Sequence, residues 1–205
     1  MKHILLLFTL STLMSLPEPE QVGICTKATG EVYRSGKIRS GKIRKGESIY
    51  NGDKLSTDKN AFLSFLNIQD KSVINLYGNS VIKIFGSAKN DSIKTEINIF
   101  GGGVSAELRK TRNREFVVNT PSSVAVVKGT TFLAGHRTMN DHGPHYQGVS
   151  DCIFSVLTGK LDVRNTKSGK TIKVEEGKTV ISTSNGEFLI FETTDEFTQY
   201  FEEPK

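Results

Sequence analysis

The sequence predicts an all-β protein, and its composition and spacing both support this class. After residue 16 the chain contains 15 Ile and 15 Val but only nine Leu, and the whole chain contains six Ala. β-Branched residues suit the pleated surface of a strand, whereas Ala and Leu are strong helix formers. Short apolar runs recur about every ten residues between Gly, Asn and Asp, as in sandwiches, barrels and solenoids. We expect a single twisted, solenoid-like or sandwich domain of many short strands.

The apolar runs define the expected strands in chain order. Many of them alternate apolar and polar residues, so that one face of each strand can be buried. The runs are 23–25, 61–66, 73–76, 81–85, 95–100, 104–108, 116–119, 124–127, 131–134, 153–157, 160–164, 172–174, 179–183 and 188–192. The dipeptide Asn185-Gly186 predicts a tight type I′ hairpin before the last strand. Only 194–203 has the helical spacing of apolar residues, so we expect a short C-terminal helix.

The first 16 residues have the features of a secretory signal peptide. A short positive start is followed by an apolar stretch from Ile4 to Leu16 and then by Pro17. At about 1.5 Å per residue this stretch is too short to span a hydrocarbon core of about 30 Å. We therefore expect a periplasmic or secreted protein, with an uncleaved inner-membrane anchor as the alternative. The expected parts are a signal peptide (1–16), an all-β domain (22–192) and a helical tail (193–205).

Cys25 and Cys152 are the only cysteines. An oxidising compartment permits them to form a disulfide, which would close a loop long enough to contribute about 4–5 kcal/mol in the chain-entropy model. The alternative is two buried thiols, each inside a strand. Both interpretations stay open from the sequence alone.

Three histidines, His136, His142 and His145, lie in a polar insertion at 135–150 together with Asp141. Imidazole and carboxylate groups are ligands for zinc or copper, which makes these residues weak metal candidates. Their spacing within a Gly- and Pro-containing loop is not that of a preorganised ligand set. A solvated loop is therefore the favoured interpretation, and we expect no metal and no cofactor.

A cationic stretch, 34–45, contains the sequence Arg-Ser-Gly-Lys-Ile twice in tandem and no acidic residue. Its candidate anion contacts are Lys37, Arg39, Lys42 and Arg44, which could attract a glycan or a lipid headgroup. Nucleic acid is not expected, because stacking aromatic residues are not interleaved with the basic ones. The simpler interpretation is a solvated hairpin lengthened by a local duplication, whose lysines discourage edge-to-edge aggregation.

Catalytic constellations are not evident in the sequence. Gly101-Gly102-Gly103 is not followed by the Gly-Lys-Ser/Thr of a phosphate loop and is better explained as a turn or bulge between two strands. Ser122-Ser123 lacks the flanking glycines of a nucleophile elbow. We therefore expect no enzyme activity and no small-molecule substrate.

Residues 116–132 arrange a strand, a Thr-Pro turn, a second strand and a Gly-Thr break into a third strand. This segment resembles the central motif of the FecR domain family. Motifs at 52–57, 70–76, 156–163 and 174–178 follow the family in order, so that the resemblance covers roughly residues 22–183. Lys128 stands where Arg is common in the family. The motif residues that we assign to fold maintenance are Gly52, Asp53, Thr57, Thr120, Pro121, Gly129 and Thr130.

The resemblance implies an extracytoplasmic all-β module. In its best-known members this module belongs to an iron-uptake regulator that passes a signal from an outer-membrane transducer to a sigma factor. Only three residues precede the apolar N-terminal stretch, so we expect the module without a cytoplasmic anti-sigma region. The expected function is non-catalytic binding of an envelope protein or a cell-wall polymer. The alternatives are a membrane-tethered signalling component and a hydrolase of envelope glycans.

Overall fold

A computed structural model describes residues 20–89, 92–109, 113–138, 150–198 and 201. Within these ranges the strands are β1 (Gln21–Thr29), β2 (Val32–Ser35), β3 (Ser40–Lys42), β4 (Ser48–Tyr50), β5 (Lys54–Thr57), β6 (Phe62–Asn67), β7 (Val73–Leu76), β8 (Val81–Lys89), β9 (Ser92–Glu107), β10 (Arg114–Asn119), β11 (Ser123–Val127), β12 (Thr131–Thr138), β13 (Ser150–Thr158), β14 (Lys160–Asn165), β15 (Thr171–Glu175), β16 (Lys178–Ser182) and β17 (Phe188–Glu192). The predicted all-β class is confirmed, and the solenoid-like or sandwich arrangement stays a prediction.

Hydrogen bonds link these strands into one open sheet with two halves that share β9. Half A runs in the order β4, β1, β6, β7, β9, β12, β13, β16, β17, and every pairing in it is antiparallel. Half B runs in the order β3, β2, β5, β8, β9, β10, β11, β14, β15. Of the pairings in the described residues, only that of β9 with β10 is parallel.

Strand β9 belongs to both halves because it bends at its glycine triplet. Its first part pairs with β8 and β10, and its second part pairs with β7 and β12. Gly102 has a φ of +77°, and a Cβ there would lie 2.5 Å from the Cα of Ser80. Only glycine can adopt this positive φ and also approach the backbone of Ser80 so closely. The triplet is therefore a bend inside one 16-residue strand, and the prediction of two separate strands here was wrong, because the ladder continues through the bend.

Apolar and polar side chains alternate along the strands, and the apolar ones form one buried core. In β14, for example, Leu161 and Val163 are buried while Asp162 and Arg164 between them are exposed. The buried cluster includes Phe65, Phe132 and Phe154 of half A together with Leu55, Ile84 and Phe116 of half B. The rings of Phe116 and Phe132, from opposite halves, meet edge to face with their centroids 6.0 Å apart.

The chain after β17 turns back over the outer face of half A. The amide of Thr193 donates to the carbonyl of Gly177 at 2.7 Å, and its hydroxyl lies 2.8 Å from that of Thr179. The segment then forms α1 (Asp195–Thr198) and ends, within the described residues, with Phe201 packed edge to face on Tyr77 at 5.6 Å. We call Thr193–Thr198 together with Phe201 the C-terminal cover.

One local prediction is tested only in part by the structure, and another was wrong. The helix expected over 194–203 is seen only as α1, and residues 199–200 and 202–205 lie outside the described residues. The turn before β17 has a positive φ at Gly186 but not at Asn185, so it is not a type I′ turn. Instead the Thr183 amide donates to the Glu187 carbonyl at 3.0 Å, which closes a longer loop.

The predicted signal peptide, residues 1–16, also lies outside the described residues. Within the described ranges, the structure contains no helix with the length and apolar character that crossing a membrane requires.

The position of Phe201 predicts different effects for two neighbouring glycines. A Cβ at Gly103 would lie 2.8 Å from Cε1 of Phe201, whereas a Cβ at Gly101 meets no atom within 4 Å. We expect Gly103→Ala to expel the ring and to speed chymotrypsin cleavage after Phe201 severalfold. Gly101→Ala should leave the cleavage rate unchanged. Equal rates for the two variants would show that the ring does not hold the cover in place.

Candidate functional site

The first group of motif residues lies in the turns around β5. The buried carboxylate of Asp53 accepts a hydrogen bond from the Tyr50 amide at 2.9 Å, and burial raises its pKa despite that bond. Gly52 has a φ of +85°. The Thr57 hydroxyl donates to the carbonyl of Tyr77 and accepts from the Ser80 amide at 3.0 Å. These contacts join one turn to the next, and the assignment of the motif residues to fold maintenance stays a prediction.

The second group lies at the turns on either side of β11. The Thr120 hydroxyl accepts from the Ser123 amide at 3.1 Å and so closes the turn that contains the exposed Pro121. Gly129 has a φ of +63°. The hydroxyl of Thr130 donates to the carbonyl of Lys160 at 2.8 Å, which ties this turn to the start of β14. The side chains of Asp53, Thr57, Thr120 and Thr130 are thus each engaged in a hydrogen bond to the backbone.

The cationic stretch forms the β2–β3 hairpin, and its charges are partly compensated. Arg39 pairs with Glu47 at 2.9 Å, and Lys42 pairs with Glu31 at 2.6 Å. Lys37 and Arg44 are exposed. The sequence analysis missed the compensation because Glu31 and Glu47 lie just outside the stretch, and the hairpin brings them alongside it. The four candidate anion contacts therefore do not form one uncompensated patch.

The two cysteines are free and buried, so the disulfide that the sequence permits is not formed in the structure. Cys25 lies in β1, where burial raises the pKa of its thiol to about 11. Cys152 lies in β13. The alternative interpretation, two buried thiols inside strands, describes their positions.

Cys152 and His136 meet in a buried polar cluster that the sequence did not predict. His136 was expected in a loop, but β12 extends through it and pairs it with Cys152. Its Nδ1 lies 3.6 Å from the sulfur, and the Ser122 hydroxyl donates to the sulfur at 3.0 Å. Burial acts to raise the pKa of the Cys152 thiol, but hydrogen bonds from His136, Ser122 and Thr120 lower it below its usual value. The hydrogen bond to Cys152 in turn raises the pKa of His136.

This cluster is closed to ligands. Cys152 is fully buried, and His136, Ser122 and Thr120 are each at most 9% exposed. The described residues contain no group of three His, Cys, Asp or Glu side chains that could hold a metal ion. His142 and His145, the other two metal candidates, lie outside the described residues. The hydrogen bonds of the cluster lower the pKa of Cys152 and raise that of His136, but both side chains are buried.

Three consecutive exposed apolar side chains lie in β17, the last strand of half A. Leu189 is 50% exposed, Ile190 is 55% exposed and Phe191 is 37% exposed. Ile190 lies on the same face as its cross-strand partner Val180, which is completely buried. In β17 only Phe188 packs, partly buried, against the core, and the apolar side chains of residues 189–191 extend beyond it.

The other three sheet edges carry features that block further pairing. β3 has only three residues and ends in Lys42. In β4 the Ser48 carbonyl accepts from the buried Arg34 guanidinium, and the Tyr50 amide donates to Asp53. Exposed Lys170 and Lys173 lie at β15. Charged side chains and short strands protect sheet edges from pairing with other chains. β17 combines an apolar sequence with a free edge in the described part of the structure.

A cavity of about 330 Å³ lies beneath the C-terminal cover, over strands β7, β9, β12 and β13 in the middle of half A. Its lining mixes apolar side chains with amide and hydroxyl groups, and it includes Val73, Asn75, Ser105, Leu133, Leu157 and Thr198. Asn75 donates to the Ser105 hydroxyl at 3.0 Å, so part of this polar lining is already paired. The cover contacts half A at its two ends and leaves space between them.

Comparison with known proteins identifies one domain in this chain. The family model described as FecR protein matches residues 53–144, inside the β domain predicted at 22–192. No curated protein matches the sequence. Two crystal structures of a candidate anti-sigma factor from Parabacteroides distasonis, at 1.65 and 2.50 Å resolution, have TM-scores of 0.54 and 0.53 and are 17% identical to the chain. Each covers 70% of this chain, and this chain covers 61% of that protein. At this identity the likeness shows the fold alone.

Asp151 allows the electrostatics of the buried polar cluster to be tested, because its charge changes the stability of the protein with pH. Asp151 is 3% exposed, and its Oδ1 atom has no hydrogen-bond partner. Burial raises its pKa above 3.8, although the Ser184 amide and the charge of His136 act to lower it. A raised folded-state pKa means that stability is present below the unfolded-state value and is lost as the pH rises through the folded-state value.

We therefore expect Asp151→Asn to raise the free energy of unfolding at pH 7 by about 1–3 kcal/mol. The gain should shrink toward pH 3.5, where the wild-type carboxyl is also neutral. Urea unfolding at both pH values measures it, and Asp162→Asn, at an exposed position of β14, is the control. A gain that is the same at both pH values would show that the carboxylate charge is not its cause.

Proposed function

We propose that the protein is an exported interaction module of the bacterial cell envelope, and the match of the FecR family model to residues 53–144 supports this. It works by binding a protein partner, and it is a component of a FecR-type signalling system. The observation that carries this proposal is the apolar, exposed β17. Contiguous apolar surface on a soluble protein marks a site of interaction, whereas single exposed apolar residues do not.

A polypeptide fits this surface better than a cell-wall polymer. Strand β17 offers aliphatic and aromatic side chains next to the backbone groups of a sheet edge, and a protein strand can use both. The cationic hairpin, the surface best suited to an anionic polymer, has two of its charges paired with Glu31 and Glu47. We therefore favour an envelope protein as the partner.

Binding is also favoured over catalysis by where the reactive groups lie. The thiol of Cys152 and the imidazole of His136 form the nucleophile-like pair of the described structure, and both are buried. A substrate would have to open the sheet to reach them. A non-catalytic module needs no such opening.

We further infer that the two sheet halves pack face to face as a sandwich. The core cluster contains residues of both halves, and the Phe116 and Phe132 rings contact each other across them. Such packing gives a rigid scaffold from which β17 projects at one edge.

The fold likeness to a candidate anti-sigma factor favours a second candidate function, a signalling component that stays tethered to the inner membrane. The free module and the tethered signalling component differ in whether the apolar segment at residues 4–16 is removed. N-terminal sequencing of the exported protein distinguishes them. A start near residue 17 is expected for the free module, and an intact Met1 is expected for the tethered one.

Substitution in β17 tests the proposed function. We expect Ile190→Lys to reduce capture of the partner from cross-linked envelope extracts about tenfold, because a charge replaces apolar contact at the centre of the surface. Ile38→Lys is the matched control, since Ile38 is 47% exposed and lies in the β2–β3 hairpin. Quantitative mass spectrometry of the captured proteins measures the effect. Equal capture by the two variants would contradict the assignment of the surface, and retention of the protein on isolated cell walls would favour the polymer.

A further inference from the structure

We propose that the cavity beneath the C-terminal cover binds a small primary amine that has an aromatic or aliphatic body. The cavity lies in the middle of half A, and its lining includes no residue of β17. The inference therefore goes beyond the proposed function and does not depend on it. The amine is bound as a ligand and is not a substrate.

The floor of the cavity is the outer face of β7, β9 and β12. Residues in register on this face form two neighbouring cross-strand rows, which are Val73–Glu107–Thr131 and Asn75–Ser105–Leu133. The residues that alternate with them, such as Phe132, are buried in the core. Because these side chains stand on paired strands, the floor is formed before any ligand arrives.

An aromatic wall closes one end of the cavity. The rings of Tyr77 and Phe201 meet edge to face with their centroids 5.6 Å apart. The Phe201 ring lies over Gly103, where a Cβ would come within 2.8 Å of it. The Tyr77 hydroxyl lies 2.9 Å from that of Ser105, which holds the Tyr77 ring in place. Together with the side chain of Leu133, this end of the cavity suits an apolar body.

The opposite end of the cavity carries a carboxylate. Glu107 follows Gly103 by four residues in β9, so it lies about 13 Å further along the strand. Among the described residues that line the cavity, Glu107 is the only charged one. It is exposed, and it takes no part in the ion pairs of the described structure. A ligand that reaches from the aromatic wall to Glu107 gains most from a positive charge at its end.

The hydrogen bonds of the lining leave acceptors for a ligand. Asn75 donates from its Nδ2 to the Ser105 hydroxyl at 3.0 Å, and its side-chain oxygen remains an acceptor. The hydroxyl of Thr198 donates to the carbonyl of Asp195 at 2.9 Å, so this donor is already used. A primary ammonium has three donors and no acceptor, and it complements Asn75 and Glu107. A carboxylate on the ligand would be repelled by Glu107.

The size and enclosure of the cavity favour a free small molecule over a polypeptide. Its volume of about 330 Å³ lies at the lower end of the range for ligand pockets, and it has room for one ring or a short alkyl chain. The cover is tied to half A by Thr193 and by the packing of Phe201 on Tyr77. An extended polypeptide would have to displace the cover, whereas a small amine fits beneath it.

Three small molecules of similar size test this specificity. Phenethylamine is the probe, and phenethyl alcohol and phenylacetate are its neutral and anionic counterparts. Titration of the isotope-labelled protein, followed by NMR at neutral pH and low salt, measures each dissociation constant and locates the site. We expect phenethylamine to bind with a Kd of about 1 mM. The alcohol should bind about threefold to fivefold more weakly, and phenylacetate more weakly still. The largest shifts should occur at the amides of Asn75, Ser105 and Leu133.

Two variants test the two ends of the ligand separately. Glu107→Gln keeps the size of the side chain but removes its charge, so the amine should then bind only as well as the alcohol. Glu175→Gln, at an exposed position of β15, is the matched control. Leu157→Trp adds a ring to the lining at a position that is 37% exposed, and it should weaken binding about tenfold. Circular dichroism and thermal unfolding check that each variant folds.

Several results would overturn the site. Failure of phenethylamine to bind, shifts centred away from the cavity, or unchanged binding by Leu157→Trp would exclude the cavity. Equal binding of phenylacetate, or a Glu107→Gln variant that still prefers the amine, would exclude recognition of its charge. Tyr200 lies outside the described residues, and tighter binding by Tyr200→Ala would show that the chain's own side chain takes this space. The capture experiment at β17 tests the proposed function independently of each result.

Discussion

The bend of β9 at Ser80 is the constraint on which both sheet halves depend. The Ser80 hydroxyl donates to the Gly103 carbonyl at 3.0 Å and accepts from the Gly103 amide at 2.9 Å. Gly102 passes close against Ser80 in a left-handed conformation that a side chain would prevent. Without this bend one long strand could not pair with β8 and β10 at one end and with β7 and β12 at the other.

The parallel pairing of β9 with β10 follows from the same bend. The second part of β9 continues into half A, so the chain must return before it can pair with the first part in half B. It does so between Glu107 and Arg114, and Arg114 then pairs with Ile93 near the start of β9. Parallel neighbours require a crossover in place of a hairpin. Here the crossover is the half-A part of β9 together with the connection that follows it.

The sequence predicted strand positions well where a short apolar run lies between turn residues. β7 and β17 begin and end as expected, because each is a short apolar run between turn residues. Prediction was wrong where contacts distant in sequence decide the outcome. The glycine triplet bends because of Ser80, and His136 is buried in a strand because it pairs with Cys152, 16 positions further along the chain.

The sequence did not indicate β17 as the candidate site, for a related reason. In sequence β17 resembles the other strands, since a run of apolar residues predicts a buried strand. What distinguishes it is its position at the edge of the sheet, where only Phe188 reaches the core and residues 189–191 are exposed. No local sequence pattern indicates that position, because it depends on the spatial order of the strands in the sheet. The compensation of Arg39 by Glu47 across the hairpin was missed for the same reason.

The contrast between the two unusual regions of the molecule favours binding as its function. The Cys152 cluster has the groups for chemistry but no access, whereas β17 has access and apolar surface but no reactive group. An exposed apolar edge strand carries a risk of aggregation that proteins normally suppress with charge or with short strands. The other three edges of this sheet are protected in this way, by short strands or charged side chains. The edge at β17 lacks this protection and exposes apolar side chains, and for this reason we propose it as the binding surface.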